Sequence, residues 1–92
     1  MRQKSLGEHL LRYRMRNGCR YIDIQDATGF SDSTISDVIS GRYNQKRMSI
    51  RTAILVCAYA EISLEELVKI IFHDEPEHTK LLEKLRYREN EK

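Results

Sequence analysis

The densest cluster of potential metal ligands lies between positions 73 and 78, where the sequence reads His-Asp-Glu-Pro-Glu-His. Imidazole and carboxylate groups bind transition metals when a helix or turn presents them at matched spacing. His73 and His78 stand on opposite sides of Pro76, so they do not share one helix face as an i, i+4 pair does. We therefore interpret this stretch as a polar turn and helix cap, and expect no metal and no other cofactor.

The cysteines and the potential nucleophiles form no catalytic pattern. Cys19 and Cys57 lack the CxxC spacing of zinc sites and redox motifs, and two isolated cysteines do not make a disulfide framework. Cys57 stands in an apolar run, which is typical of a small core residue. No Ser/His/Asp or Cys/His arrangement is apparent, and a chain of 92 residues leaves little room for a substrate pocket. We expect a protein that is not an enzyme.

The charged residues occur in alternating blocks. Six bases stand within residues 1–20 against the single acid Glu8, and four bases stand within residues 42–51. Between these blocks, residues 21–41 hold four aspartates and no base. If folding brings the two basic blocks onto one face, that face favours a polyanion, and nucleic acid is the commonest such partner. Ordinary solvated charge is the alternative interpretation.

The elements that must position these residues are helices, because apolar residues recur at helical spacing and strand alternation is absent. Capping boxes begin at Ser5 and Ser63, and Asn17-Gly18 has the form of a helix C-terminus. The sequence predicts helices from Ser5 to Asn17, over 21–28 and over 32–40, one after Ser49, one after Ser63, and a last one starting near Pro76.

Two of these helices carry specific expectations about burial. In helix 21–28, Ile24 and Ala27 should face inward. The helix after Ser49 is apolar nearly all round, which is typical of a buried central helix. Together the helices predict one all-α domain over residues 1–72, followed by a C-terminal extension over 73–92.

The extension carries a narrow apolar stripe. Its members are Leu81, Leu82 and Leu85. This stripe either packs onto the domain's own core or contacts a second copy of the chain, and residues 86–92 are expected to fray. No apolar run approaches the length needed to span a bilayer, and no secretory signal is present, so we expect a cytoplasmic protein without a membrane partner.

The most informative stretch runs from Ile24 to Gly41. Gly29 permits a tight bend, and Ser31 is a good N-cap for the helix over 32–40. Ile35 and Val38 should hold that helix against the core, which leaves its polar residues pointing outward. Those residues are Asp32, Ser33, Ser36 and Asp37.

Residues 29–36, Gly-Phe-Ser-Asp-Ser-Thr-Ile-Ser, followed by Gly41, resemble the helix-turn-helix of the lambda-repressor and Cro-like (XRE-type) DNA-binding domains. The resemblance runs from Leu6 to Leu67 and includes Gly18 and the Ser-Leu-Glu-Glu-Leu ending at 63–67. It implies a lambda-repressor-like five-helix domain with a short C-terminal helix. It also implies binding to a double-stranded DNA operator as a homodimer.

The resemblance further implies two sets of DNA contacts. Base edges would be met by the outward residues Asp32, Ser33, Ser36 and Asp37. Phosphates would be met by Arg14, Tyr21, Ser40, Arg42, Tyr43 and Asn44, and the basic blocks add Arg20, Lys46 and Arg47.

Several positions depart from the family pattern. Gln25 stands where such domains usually have alanine, and Ile39 stands where a glutamate usually pairs with the arginine at Arg14. Arg20 replaces the usual capping serine or threonine, and Tyr21 the usual glutamine. Arg14 therefore lacks its usual partner and could contact a phosphate or pair with Asp37.

Local alternatives remain for the proposed contacts. Asp32 could serve only to stabilise the helix N-terminus, and Asp37 could form a surface ion pair with Arg14 or Arg42. The bases within residues 42–47 could be solvated, and the two tyrosines of the set could be packing residues.

We expect a sequence-specific DNA-binding transcriptional regulator, a repressor of phage, mobile-element or antitoxin type. The helix over 32–40 holds two aspartates and no base, so affinity must come from the flanking basic blocks. The alternative is a protein-binding, antirepressor-like module with a regulatory protein as its partner, in which the acidic helix mimics or masks a basic surface. Salt-sensitive binding to duplex DNA would separate the two.

Overall fold

A computed structural model describes residues 4–90, with side chains as far as Leu85. This described part of the chain consists of helices joined by turns and loops, and it contains no β-strand. The helices are α1 (Leu6–Asn17), α2 (Tyr21–Thr28), α3 (Asp32–Ser40), α4 (Ile50–Ala60), α5 (Leu64–Phe72) and α6 (Thr79–Asn90), with a 3₁₀ turn at Pro76–His78 before α6. The all-α class expected from the sequence is confirmed. None of the described helices has the length and apolar composition to cross a bilayer.

Serine side chains begin four of the helices. Ser5, Ser31, Ser49 and Ser63 each accept a hydrogen bond from the backbone N–H three residues further on. This satisfies one of the unpaired donors at a helix N-terminus and stabilises the helix by about 1 kcal/mol. The boundaries predicted for the first three helices and the serine starts of the next two are confirmed.

The core lies between α1, α2, α3, α4 and α5. The buried residues that form it are Leu6, Leu10, Ile24, Ile35, Val38, Val56, Cys57, Ala60 and Ile70. Helices α1 and α2 both pack against α3 and α4, and α5 packs against α4. Each large aliphatic side chain in such a core stabilises the fold by about 1.5–3 kcal/mol through its removal from water.

Gly7 allows α1 to approach the last turn of α3 closely. A Cβ atom at this position would overlap the carbonyl oxygen of Val38 and lie 3.0 Å from that of Ile39. Because both neighbours are backbone atoms, neither can move aside without displacing α3. The crossing of α1 and α3 therefore requires a residue without a side chain at position 7.

Two burial expectations are wrong. Ala27 is exposed. Helix α4 is not buried all round: Ile50 and Ile54 are 77% and 43% exposed, although Ala53, Val56, Cys57 and Ala60 are buried. The neighbours of α4 cover the side that carries these four residues, and the apolar residues of the other side face solvent. The core position predicted for Cys57 is confirmed, and burial raises the pKa of its thiol.

The C-terminal extension stands apart from the core. Its first element is the 3₁₀ turn that begins at Pro76, and this turn is the principal neighbour of α6. Leu81 and Leu85 are 60% and 56% exposed, and Leu82 is half-buried. The leucine stripe therefore does not pack onto the domain's own core. Fraying is expected for residues 86–92: the backbone of 86–90 belongs to α6, and residues 91–92 lie outside the described part.

Candidate nucleic-acid interface

The outer side of α3 is polar because its apolar residues face the core. Ile35 and Val38 are almost fully buried, which turns the intervening residues outward. Asp32 and Ser33 are exposed, and Ser36 and Asp37 are half-buried. The four residues predicted to contact bases thus occupy the accessible side of one short helix.

A guanidinium group lies across this side of α3. Arg42 folds back from the loop after the helix, and its Nε donates to Oδ1 of Asp37 at 2.9 Å. Its Nη2 donates to Oγ of Ser36 at 3.2 Å. Of the two ion pairs that the sequence left open for Asp37, the structure contains the one with Arg42. The α3 surface therefore carries a base, although the helix itself contains none.

The N-terminal turn of α3 is organised by hydroxyl groups. Ser31 accepts from the N–H of Thr34 at 3.2 Å, and its Oγ lies 3.1 Å from that of Ser33. Asp32 stands in this first turn, where a carboxylate interacts favourably with the helix dipole. Asp32 and Ser33 are thus accessible to a ligand. Both also belong to the capped N-terminal turn of α3, which they help to stabilise.

Arg14 and Tyr21 form a stacked pair where α1 meets the start of α2. The guanidinium carbon of Arg14 lies 5.0 Å from the centre of the Tyr21 ring. Tyr21 packs against the core, and the Nε of Arg14 is buried with no hydrogen-bond partner among the described residues. Packing is therefore one role of Tyr21, and Arg14 does not pair with Asp37.

Arg20 is the exposed base at the N-terminus of α2. Its side chain is 77% exposed and lies 3.5 Å from the carboxylate of Asp23. The other oxygen of that carboxylate accepts the backbone N–H of Arg20 at 2.8 Å. This backbone hydrogen bond is the main reason why the pKa of Asp23 is lowered. Arginine at position 20 does not cap α2 with its own side chain. The carboxylate of Asp23 instead stabilises the start of this helix.

The loop after α3 is held to the body at several points. Tyr43 packs against the core, which agrees with the alternative that this tyrosine is a packing residue. Its N–H donates to the carbonyl of Asp37 at 3.0 Å. Oδ1 of Asn44 accepts from the N–H of Lys46 at 3.0 Å. Oε1 of Gln45 accepts the N–H of Leu6 at 3.0 Å, which caps α1 from a distant part of the chain. Sequence reasoning missed this contact because no local pattern links the two positions.

Ser40 and Arg47 complete the residues predicted to contact phosphates. Ser40 is exposed, donates to the carbonyl of Asp37 at 3.3 Å and accepts from the N–H of Arg42 at 3.4 Å. Arg47 is exposed on the same loop. Ser40 thus shapes the turn that carries Arg42, and Arg47 presents a cation to solvent.

Lys46 forms ion pairs with the C-terminal extension. Its Nζ lies 2.6 Å from Oδ1 of Asp74 and 3.1 Å from Oε2 of Glu75. The hydrogen bond with Asp74, followed by that with Glu75, raises the pKa of Lys46, and Lys46 in turn lowers the pKa of Asp74. Because two carboxylates balance its charge, we leave Lys46 out of the proposed interface. Its role is to hold the loop against the end of α5.

The ligand atoms of Glu75, Glu77 and His78 come within 4.8 Å of one another. Nε2 of His78 lies 3.4 Å from Oε1 of Glu75. The ammonium group of Lys46 lies 3.1 Å from Oε2 of the same glutamate and would repel a divalent cation, so we propose no metal at this cluster.

No protein-family model, no curated protein and no solved structure matches this chain. The candidate interface is therefore defined by its own geometry. It consists of the α3 surface (Asp32, Ser33, Ser36, Asp37 and Arg42), with exposed bases before α2 and in the loop that follows α3.

Proposed function

We propose that this protein is a sequence-specific regulator of transcription that binds double-stranded DNA through a helix-turn-helix formed by α2, residues 29–31 and α3. The observation that carries the proposal is the polar, accessible side of α3 with a guanidinium group laid across it. An α-helix fits the major groove of B-DNA, where polar side chains and arginine distinguish the base pairs. The three-residue turn and the burial of Ile35 and Val38 support α3 as the helix that enters the groove.

Exposed bases that precede and follow α3 in the sequence supply the attraction to phosphates in this proposal. Arg20 stands at the start of α2, and Arg47 stands in the loop after α3. Neutralising phosphates releases bound cations from DNA, which gives binding that weakens as salt rises. These contacts set affinity and orientation, and the α3 surface sets the preferred sequence.

The protein acts in this proposal as a homodimer on a two-fold symmetric operator, which it represses by occupying it. One module of this size makes few base contacts, and a symmetric pair doubles them. The exposed Leu81 and Leu85 on α6 are the surface that we assign to the second copy. The placement among phage, mobile-element or antitoxin repressors rests on the family resemblance alone.

The salt dependence of DNA binding tests the proposal. The site is first selected from a pool of random duplexes, and its affinity is then measured by fluorescence anisotropy over a series of salt concentrations. We expect Arg47→Ala and Arg20→Ala each to weaken binding to all duplexes and to reduce the salt slope by about 1.

Lys69→Ala is the matched control, because it removes the same charge from an exposed position on α5, a helix that packs against α4. It should leave the slope unchanged. Folded protein that binds no duplex at low salt would contradict the proposal.

The alternative is a protein-binding, antirepressor-like module. The observation that favours it is the apolar pair of Ile50 and Ile54, which faces solvent on α4. Such a module would show no affinity for duplex DNA and would form a tight complex with another regulator.

A further inference from the structure

We propose that Arg42 recognises a guanine base in the major groove, and that Asp37 and Ser36 act as positioning residues for it. This presupposes the proposed DNA binding and adds to it the residue that determines specificity and the base that it selects. It also exchanges the roles that the family resemblance implies, in which Arg42 meets a phosphate and Asp37 meets a base.

The hydrogen bonds of Arg42 occupy one edge of its guanidinium group. Nε and one N–H of Nη2 lie along this edge, and they donate to Asp37 at 2.9 Å and to Ser36 at 3.2 Å. The other N–H of Nη2 and the N–H groups of Nη1 donate to no residue within the described part of the chain. A planar guanidinium has five N–H donors in a fixed fork, so the free end presents two parallel donors in one plane.

The backbone after α3 directs this side chain back along the helix. The N–H of Gly41 donates to the carbonyl of Val38 at 3.3 Å, and the N–H of Tyr43 donates to that of Asp37 at 3.0 Å. Arg42 lies between these two anchored residues, and its own N–H donates to Oγ of Ser40 at 3.4 Å. Because its Nη2 reaches Ser36, the guanidinium lies beside the middle of α3. It therefore lies on the outward side of α3, beside two of the residues predicted to face the bases.

The carboxylate partner favours base recognition over a phosphate contact. Asp37 balances much of the charge of Arg42, so the pair is attracted less strongly to a phosphate than a free arginine is. An exposed ion pair adds little to stability, and these side chains are 67% and 43% exposed. Its main effect is to orient a flexible side chain before DNA binds, which removes part of the entropy cost of binding.

The free end of the guanidinium matches guanine and excludes adenine. Guanine presents two acceptors, N7 and O6, to the major groove, and two parallel N–H donors bind them together. Adenine presents its N6 amino group where guanine has O6, so a donor would face a donor. The same pairing explains how α3 carries Asp37 close to DNA, because Arg42 screens the carboxylate from the phosphates.

Selection from random duplexes with wild-type protein, Arg42→Ala, Arg42→Lys and Asp37→Ala tests the proposal. Wild type should select a site with guanine at one fixed position in each half. Arg42→Ala, which removes all the donors, should lower the preference for that guanine roughly 5- to 150-fold while the other positions are kept. Arg42→Lys keeps the charge but loses the planar fork, so its preference for that guanine should be weaker than that of wild type. Asp37→Ala should weaken preference at the same position, although Arg42 is still present. Arg47→Ala is the control and should lower affinity for all duplexes without changing the preference.

A double-mutant cycle separates positioning from direct contact. If Asp37 acts through Arg42, the pair Asp37→Ala with Arg42→Ala loses no more preference than Arg42→Ala alone. Wild type should bind a probe with 7-deazaguanine at the selected position more weakly than the guanine probe, whereas Arg42→Ala should bind the two probes equally well. Thermal unfolding followed by circular dichroism shows that each variant is folded.

The outcomes distinguish this inference from the function on which it rests. Folded wild-type protein that selects no site overturns the proposed function, and the inference falls with it. A selected site whose preferences are the same in Arg42→Ala overturns the inference alone. Additive losses in the double variant also overturn it, because Asp37 would then contact a base independently of Arg42.

Discussion

Gly7 stands where α1 and α3 come together, and the fold leaves no space for a side chain at this position. We expect Gly7→Ala to lower the free energy of unfolding by about 3 kcal/mol, the upper part of the range for overpacking, since the added Cβ meets backbone atoms that cannot rotate away. Chemical denaturation measures this change.

Gly18→Ala is the matched control. Gly18 has a φ of 64° and no atom near the place where its Cβ would lie, so its substitution adds only the strain of the left-handed conformation, about 1 kcal/mol. A Gly7→Ala variant that is no less stable than Gly18→Ala would show that the two helices do not meet as closely as described.

Residue contacts were predictable from the sequence only in part. The ion pair between Asp37 and Arg42 was one of two alternatives, because residues five apart across a helix end have no fixed geometry. The direction in which Arg42 turns depends on the anchored backbone around Gly41, which residue types do not specify. The contact of Lys46 with Asp74 joins positions that only the tertiary fold brings together.

At the scale of elements, local signals predicted the helices and not the sides that they bury. Serine caps and glycine ends mark boundaries through hydrogen bonds within a few residues, so α1, α2 and α3 were predictable. The side of α4 that faces the core was not, because apolar residues surround it and periodicity then carries no information. Ala27 was wrongly placed because alanine is compatible with either side of a helix.

The ion pairs of Lys46 join the loop after α3 to the extension after α5, and their stability should depend on pH. The folded-state pKa of Asp74 lies below its ordinary value of 3.8, so folding favours the ionised carboxylate. The stabilisation is therefore fully present above about pH 4 and is lost as the pH falls through the folded-state pKa. We expect the difference in Tm between wild type and Asp74→Asn to shrink towards zero below this range.

Asp26→Asn serves as the control, since Asp26 is an exposed aspartate on α2 whose carboxylate makes no hydrogen bond to another residue that the structure describes. Thermal melts between pH 2 and pH 7 provide the comparison. A Tm difference for Asp74→Asn that stays constant over this range would mean that the ion pair contributes nothing to folding.

For the whole molecule, the exposed stripe on α6 bears on its oligomeric state. We expect Leu81→Ser with Leu85→Ser to raise the dissociation constant of the proposed dimer by at least roughly tenfold, because each leucine would leave water on association. Sedimentation over a range of concentrations measures this constant.

Lys80→Ser with Lys84→Ser alters two exposed neighbours on the same helix and should leave association intact. Wild-type protein that remains monomeric at every concentration would contradict the assignment of α6 to a second copy.

The dimensions of the folded chain, 40 × 29 × 24 Å, have a consequence for operator geometry. Two such bodies placed side by side about a two-fold axis have their centres separated by a distance comparable to their own widths. One turn of B-DNA spans about 34 Å, which falls within these dimensions. Bodies of this size are therefore compatible with the proposed dimer on half-sites one helical turn apart.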